Sequence, residues 1–169
     1  LLPAGEQHML GDVWIDGAGN VYTTDSVSPN IYRIDAVKGV IEPFVTSDLF
    51  SSLQGITGGA NPNEIFFADY AKGIFRIDIR SKAITQLKPD ANVTLLGIDG
   101  LYFHRGRLIA IQNGVTPNRV AAFSIEGDRV KAGTVLEANH PDFLEPTLGV
   151  ISGDDFYFVA NSQWPLVNE

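Results

Sequence analysis

The sequence predicts an all-β protein of the β-propeller class, in which four-stranded antiparallel sheets, called blades, surround a central channel. A pentapeptide recurs nearly unchanged at residues 31–35 (IYRID) and 74–78 (IFRID), so the two copies start 43 residues apart. A period of about 40–50 residues that contains short β-type runs is typical of propeller blades. Strongly apolar runs also end in a polar residue at steps of 44, 44 and 48 residues, at Asp25, Asp69, Asn113 and Asn161.

Each period divides into strands, because Gly-containing turns separate runs rich in aromatic and β-branched residues. The first period predicts strands at 12–16, 20–24, 30–35 and 40–45, with glycine available for a positive φ in the turns. The second predicts strands at 55–58, 64–68, 73–78 and 83–87, and the third at 100–104, 107–112, 119–125 and 130–136. The fourth offers only 149–151 and 155–160. No stretch carries a convincing helical period.

These strands predict blades at residues 11–46, 54–88 and 98–137 and a half blade at 147–164, so that residues 1–169 form one partial propeller. About three and a half blades cannot close a ring, and propellers have about four to eight blades. We therefore expect the missing blades to come from an upstream segment of the same natural protein. A partner chain is the less favoured source, and a complete four-bladed ring is less favoured still.

The net charge, the apolar runs and the absence of cysteine limit the kinds of molecule that the protein could bind and the chemistry that it could perform. The chain carries a net charge of −8 and has a pI near 4.7, which disfavours nucleic-acid binding because phosphate contacts need a basic surface. It has no run of about 18 apolar residues that could span a membrane. The absence of cysteine excludes disulfides, thiol catalysis and thiolate metal sites. This composition fits an exported or a cytoplasmic protein, with a periplasmic or secreted location slightly favoured.

The candidate site lies where the innermost strands begin, since one residue of each blade points into the channel there. Aligned blades place Gly11, Gln54, Asp99 and either Thr147 or Leu148 at this position. Asp99 is the one carboxylate among them, so Asp99 and Gln54 are the candidate metal ligands and calcium is the expected ion. Calcium takes about six or more oxygen ligands, so the others would be Thr147, water and residues of the missing blades. The alternative is that Asp99 only bonds to nearby backbone amides at a tight strand entry.

A second candidate surface lies on the rim, where amide side chains follow the strands. Asn113, Asn161 and Gln163, together with Trp164, are candidates for binding a carbohydrate-like or other polar ligand, as is Thr147 at the channel. The same amides also fit local turn stabilisation. Asp25 and Asp69 are interpreted as turn-capping residues, because Asx side chains bond to the backbone of their own turn.

Several of these segments resemble a known family. Residues 12–25 (DVWIDGAGNVYTTD), residues 55–70 with their FADY ending, and Asp99-Gly100 resemble repeats of the six-bladed senescence marker protein, gluconolactonase and luciferin-regenerating enzyme family. The segments EANHP (137–141), EPTLG (145–149) and NSQW (161–164) resemble bacterial members of that superfamily whose activity is generally unassigned.

The resemblance implies a divalent cation on the channel axis, held by a Glu, Asn residues and an Asp, that polarises a lactone carbonyl while a carboxylate assists proton transfer. Asp99 matches the family Asp. Gly11 and Gln54 depart from the pattern, because the family often has Asn there, and the family Glu would lie upstream of Leu1.

Two hypotheses follow. The first is a divalent-metal-dependent hydrolase of lactones or esters, with Asp99 as a metal ligand and the acid/base group unknown or upstream. The second is a non-catalytic propeller that binds a small molecule, a sugar or a protein through the rim loops at 113–118 and 161–165.

Overall fold

Four sheets, antiparallel except for one short strand pair, make up the computed structural model, which describes Leu2 and residues 5–167. The first sheet contains, in order, β1 (Leu10–Ile15), β2 (Val21–Asp25), β3 (Asn30–Ile34) and β4 (Ile41–Thr46). The second contains, in order, β5 (Leu53–Gly58), β6 (Glu64–Asp69), β7 (Gly73–Asp78) and β8 (Ile84–Gln86). Both sheets have the antiparallel up-and-down order expected of a blade.

The third and fourth sheets complete the described part of the chain. The third is built from β9 (Lys88–Pro89), β10 (Ile98–His104), β11 (Arg107–Gln112), β12 (Arg119–Glu126), β13 (Arg129–Val130) and β14 (Thr134–Ala138). The fourth is the pair β15 (Gly149–Ser152) and β16 (Asp155–Phe158), followed by a 3-10 turn at Trp164–Leu166. These residues contain no α-helix and no helix long and apolar enough to cross a membrane. The predicted all-β fold of four-stranded antiparallel blades is confirmed.

The outer edge of the third sheet differs from the prediction of one strand at 130–136. β13 pairs with the far end of β12 at Ile125 and Glu126, whereas β14 pairs with its beginning. Gly133 lies between β13 and β14, and a Cβ at this position would overlap the carbonyl oxygen of Ala122. The strand is interrupted at this close backbone approach, and the β-propensity of residues 130–136 gives no sign of the interruption. β13 also pairs in parallel with β9, the short strand that follows the second sheet along the chain.

The aspartate that ends each copy of the repeated pentapeptide stabilises the turn that follows it. Asp35 accepts hydrogen bonds from the backbone N–H of Lys38 at 2.9 Å and of Val37 at 3.0 Å. Asp78 accepts bonds from the N–H of Ser81 at 2.7 Å and from its hydroxyl at 2.8 Å. These bonds favour the charged form and hold the pKa of both carboxyls below its usual range. The pentapeptide therefore marks strand–turn units.

The sheets pack face to face through three apolar cores. Neighbouring residues of β6 face opposite ways, as expected for a strand: Phe67 enters the core shared with the first sheet and Phe66 the core shared with the third. A third core joins β11 and β12 to the fourth sheet through Ile109, Ile111, Phe156 and other residues. The second sheet is thus covered on both faces.

The inner strands are also linked by single hydrogen bonds from one sheet to the next. Ile56 N–H donates to Asp12 at 3.5 Å, Phe103 N–H to the Thr57 hydroxyl at 3.1 Å, and Gly149 N–H to the Tyr102 hydroxyl at 2.6 Å. In each case a side chain of the earlier sheet accepts an N–H of the later one. These bonds hold the inner strands close together, side by side along the channel.

Candidate functional site

A β-bulge marks the inner strand of each of the first three sheets. The register against the second strand shifts between Leu10 and Val13, between Leu53 and Ile56, and between Ile98 and Gly100. Bulges re-aim side chains and are common beside functional sites. The bulged residues include Gly11, Gln54 and Asp99, which are the positions that the repeat alignment selected.

The fourth sheet resolves the choice between Thr147 and Leu148. Thr147 N–H donates to the carbonyl of Val159, and Val159 N–H donates to the carbonyl of Leu148, both at 3.0 Å. Thr147 and Leu148 therefore both lie opposite Val159, as in a β-bulge. Leu148 is the extra residue of this bulge and corresponds to Asp99. Thr147 is 9% exposed and lies directly beside it.

These inner-strand residues line one cavity of about 380 Å³. Its polar lining contains three carboxylates, two amides and several hydroxyls. The apolar lining comes from the N-terminal segment, the fourth sheet and the C-terminal turn. The complete lining is Met9, Leu10, Gly11, Asp12, Ser26, Gln54, Tyr70, Asp99, Asn113, Glu145, Thr147, Leu148 and Trp164.

Two of the three carboxylates, Asp12 and Glu145, were missed by the sequence analysis. Asp12 was taken only as the first residue of a strand, although it directly follows Gly11 within the bulge. Glu145 lies in the connection before the fourth sheet, where it forms an isolated parallel bridge with Asn161 and its carboxylate accepts the Ser162 hydroxyl at 2.8 Å. The available signal was that Glu145 stands two residues before Thr147.

Asn113 holds Asp99 in place. Its amide nitrogen donates to Asp99 at 2.7 Å and to the carbonyl of Pro146 at 3.0 Å. Its amide oxygen accepts the hydroxyl of Tyr70 at 2.9 Å. Both donors of the amide are therefore used, so Asn113 positions Asp99 and leaves only acceptor capacity for a ligand.

The strand pairing also corrects the repeat marker at Asn113. Asp25 lies opposite Leu10, Asp69 opposite Leu53, and Gln112, not Asn113, opposite Ile98. Gln112 has the corresponding role, because its amide donates to the carbonyls of Thr94 and Leu96 in the loop before the inner strand. The capping role predicted for Asp25 and Asp69 is confirmed: they accept backbone N–H groups of Met9 and Val27 and of Ser51, Ser52, Ala71 and Lys72, respectively.

The cavity concentrates negative charge. Burial raises the pKa of Asp12 to about 6, against the lowering effect of the Val13 and Ile56 N–H groups, and the nearby Asp99 raises it further. Burial also raises the pKa of Asp99, the bond from Asn113 opposes this, and Glu145 adds to it. Burial, Asp99 and Glu145 raise the pKa of Tyr70. No Lys, Arg or His of the described chain lines the cavity.

The predicted metal ligands Asp99 and Gln54 lie in the same cavity, with Thr147 beside them. Carboxylate, amide and hydroxyl oxygens are the donors that a hard cation such as calcium prefers. In the part of the chain that the structure describes, no three Asp, Glu or His side chains are grouped closely enough to hold a metal ion by themselves. The oxygen donors of this lining are thus of the type that calcium takes.

A second cavity of about 560 Å³ borders the first on the rim, and it contains Asn161 and Gln163. Trp164, predicted for the same surface, lines the first cavity instead, while Asn113 lines both. Asn118 forms part of the wall, where its amide donates to the carbonyl of Leu144 at 3.2 Å. The complete lining is Asn113, Asn118, Leu144, Glu145, Asn161, Gln163 and Leu166.

Similarity to known proteins is found at the level of structure. No protein-family model and no curated protein sequence matches the chain. Luciferin-regenerating enzyme superposes with a TM-score of 0.66 at 14% identity over 92% of this chain and 55% of its own. Virginiamycin B lyase from Staphylococcus aureus superposes with a TM-score of 0.58 at 18% identity, over 95% of this chain and 65% of its own. An auxiliary nutrient binding protein from Bacteroides ovatus superposes with a TM-score of 0.67 at 13% identity, over 89% of this chain and 42% of its own.

At these identities the comparisons show the fold. The chain has the β-propeller fold that these solved structures share. It spans less than two thirds of the length of each of the three solved chains.

Proposed function

We propose that the carboxylate-lined cavity is the active site of a hydrolase that cleaves lactones or esters with the help of a divalent cation, calcium being the best fit. The observation that carries this proposal is the pair of carboxylates Asp12 and Asp99 in one cavity. Asp99 is fixed by Asn113, whereas Asp12 has a pKa of about 6. Two carboxyl groups with different environments suit two different roles in acid–base chemistry.

In this mechanism Asp99 would hold the cation together with the side-chain oxygens of Gln54 and Thr147. A bound divalent cation polarises a carbonyl and stabilises negative charge on its oxygen. Asp12 accepts the proton of the attacking water and returns it to the leaving oxygen, which its pKa of about 6 allows near neutral pH. Asn113 and Tyr70 keep Asp99 oriented, and Leu10, Leu148 and Trp164 supply apolar surface for the substrate.

The test measures hydrolysis of a lactone and ester panel by the natural full-length protein between pH 5 and pH 8. Because Asp12 must be deprotonated to act as a base, we expect kcat/KM to rise with pH around a midpoint of about 6. Asp12→Asn should lower kcat by about 10²–10⁴-fold, the usual contribution of a general base. Asp99→Ala should lose bound calcium in elemental analysis.

The matched control is Asp48→Asn, which removes an exposed carboxylate that does not line the cavity and should keep both activity and metal. A protein that neither binds a divalent cation nor hydrolyses any lactone or ester would overturn the proposal.

The second cavity favours one other candidate, a non-catalytic propeller that captures a sugar, another small molecule or a protein at its rim. Its amide side chains at Asn118, Asn161 and Gln163 are the supporting observation. In that case Asn161→Ala and Trp164→Ala would weaken ligand capture without affecting folding, and neither metal nor turnover would be found.

A further inference from the structure

The two cavities share a wall. Asn113 and Glu145 are the two residues that line both of them. Both are held firmly: Asn113 by Asp99, Pro146 and Tyr70, and Glu145 by the Ser162 hydroxyl and the bridge to Asn161. The two cavities therefore adjoin at Asn113 and Glu145, at about the position of Asp99 in the first.

The second cavity offers neutral hydrogen-bonding groups beside apolar surface. Asn161 uses its side-chain oxygen to accept the N–H of Gln163 at 3.1 Å, and within the described residues its amide N–H groups have no protein acceptor. The side-chain amide of Gln163 makes no hydrogen bond to the described residues. Leu144 and Leu166 are exposed beside them, at 69% and 58%. Free amide groups next to exposed leucines suit hydroxyl or amide groups on a carbon skeleton.

Charge decides which molecules fit. The first cavity is lined by three carboxylates, and Glu145 stands at the junction of the two. No Lys, Arg or His in the described part of the chain lines either cavity. An anionic group would lose its hydration there without gaining a cationic partner, and the surrounding negative potential would repel it.

We propose that the two cavities form one extended site whose ligand is an elongated, uncharged molecule with hydroxyl or amide groups remote from its reacting end. Acids and phosphate esters with the anionic group in that remote part are excluded. This rests on the proposed hydrolase for the identity of the reacting end only; the length and charge preferences follow from the two linings.

The experiment uses three unreactive polyols, so that binding is measured independently of turnover. Sorbitol represents the short uncharged ligand, lactitol carries an additional galactosyl unit, and sorbitol 6-phosphate is anionic. Calorimetric titration of the natural full-length protein should give lactitol an affinity at least about tenfold above that of sorbitol, and sorbitol 6-phosphate one at least about tenfold below it.

Variants then assign the preference to the second cavity. Asn161→Ala should bring lactitol down to the affinity of sorbitol while leaving sorbitol itself unchanged. Gln163→Asn should do so in part, since it shortens the amide and asparagine tolerates the left-handed backbone at this position, where φ is 58°. Gln86→Ala, which removes an exposed amide on the outer strand β8, is the control and should leave all three affinities unchanged.

Equal affinity for sorbitol and lactitol in the wild-type protein, or an undiminished lactitol preference in a folded Asn161→Ala protein, would overturn the extended site. Binding of sorbitol 6-phosphate as tight as that of sorbitol would overturn the charge selection. If the binding pattern holds and no lactone or ester is hydrolysed, the hydrolase proposal alone fails.

Discussion

Asp12 contributes a carboxylate to the cavity but lowers the stability of the folded protein when it is ionised. It is half-buried, lies near a second carboxylate, and accepts the N–H groups of Val13 at 2.9 Å and Ile56 at 3.5 Å. The two bonds do not offset the loss of hydration, so its pKa rises to about 6. Ionisation of Asp12 therefore destabilises the folded state relative to the unfolded chain.

We expect Asp12→Asn to stabilise the protein at pH 8. An aspartate with a raised folded pKa favours folding below its unfolded pKa near 3.8, and this contribution is lost as pH rises through about 6. The variant should gain about 1–2 kcal/mol in free energy of unfolding at pH 8 and nothing at pH 4. The gain at pH 8 is reduced because the amide of asparagine accepts fewer hydrogen bonds than the carboxylate of Asp12. Urea denaturation at both pH values, with Asp48→Asn as control, checks this. An equal effect at both pH values would contradict the assignment.

At the scale of elements, the inner strands approach each other so closely that only glycine fits at one position. A Cβ on Gly55 of β5 would lie 2.7 Å from the carbonyl oxygen of Asp99 and would overlap the N–H of Leu101, both on β10. The obstructing atoms are backbone, so they cannot move aside as a flexible side chain would. Gly55 thus sets the spacing between two blades at the point where Asp99 enters the cavity.

Gly55→Ala should destabilise the protein by roughly 1–3 kcal/mol, the usual range for overpacked core sites. Because the change would displace β10, it should also lower ligand or metal binding at Asp99. Gly17→Ala is the matched control: a Cβ there meets nothing within 4 Å, and stability should change by less than about 0.5 kcal/mol. Thermal denaturation of both variants measures the difference, and equal midpoints would refute the close approach.

Strand order could be predicted from the sequence because turn chemistry is local, as Asp35 and Asp78 illustrate. The break at Gly133, the shift of the strand-end marker from Asn113 to Gln112, and the entry of Asp12 into the cavity could not. Each depends on the register between strands or on contact between segments distant in sequence, and a one-residue shift reverses which side chains face the channel. The position of Asp99 and Gln54 in the cavity lining could be predicted, because the repeat itself encodes the bulge position.

At the scale of the whole molecule, burial is uneven among the sheets. The second sheet has a core on each face, and Ile65, Phe67, Ile74 and Ile77 are fully buried. The fourth sheet has two strands and one shared core, with 59% of Tyr157 exposed. Local stability follows the number of buried apolar contacts, so opening should begin in the fourth sheet.

Hydrogen exchange of the 169-residue chain should show this gradient. We expect the amides of β6 and β7 to exchange only through global unfolding and those of β15 and β16 to exchange much faster. Phe156→Ala should accelerate exchange in β15 and β16 and leave β6 and β7 unchanged at native conditions. Uniform acceleration across all sheets would mean that the blades unfold as a single unit.

Because each of the four sheets is formed by one contiguous stretch of chain, the molecule can be assembled in the order in which it is synthesised. A ribosome adding about 5–20 residues per second releases one period of roughly 45 residues every few seconds. Hairpins form in about 1–10 μs, so each sheet can finish long before its neighbour appears. During those seconds the apolar face of the newest sheet is exposed to solvent, and this is the interval in which chaperone binding would protect the nascent chain most.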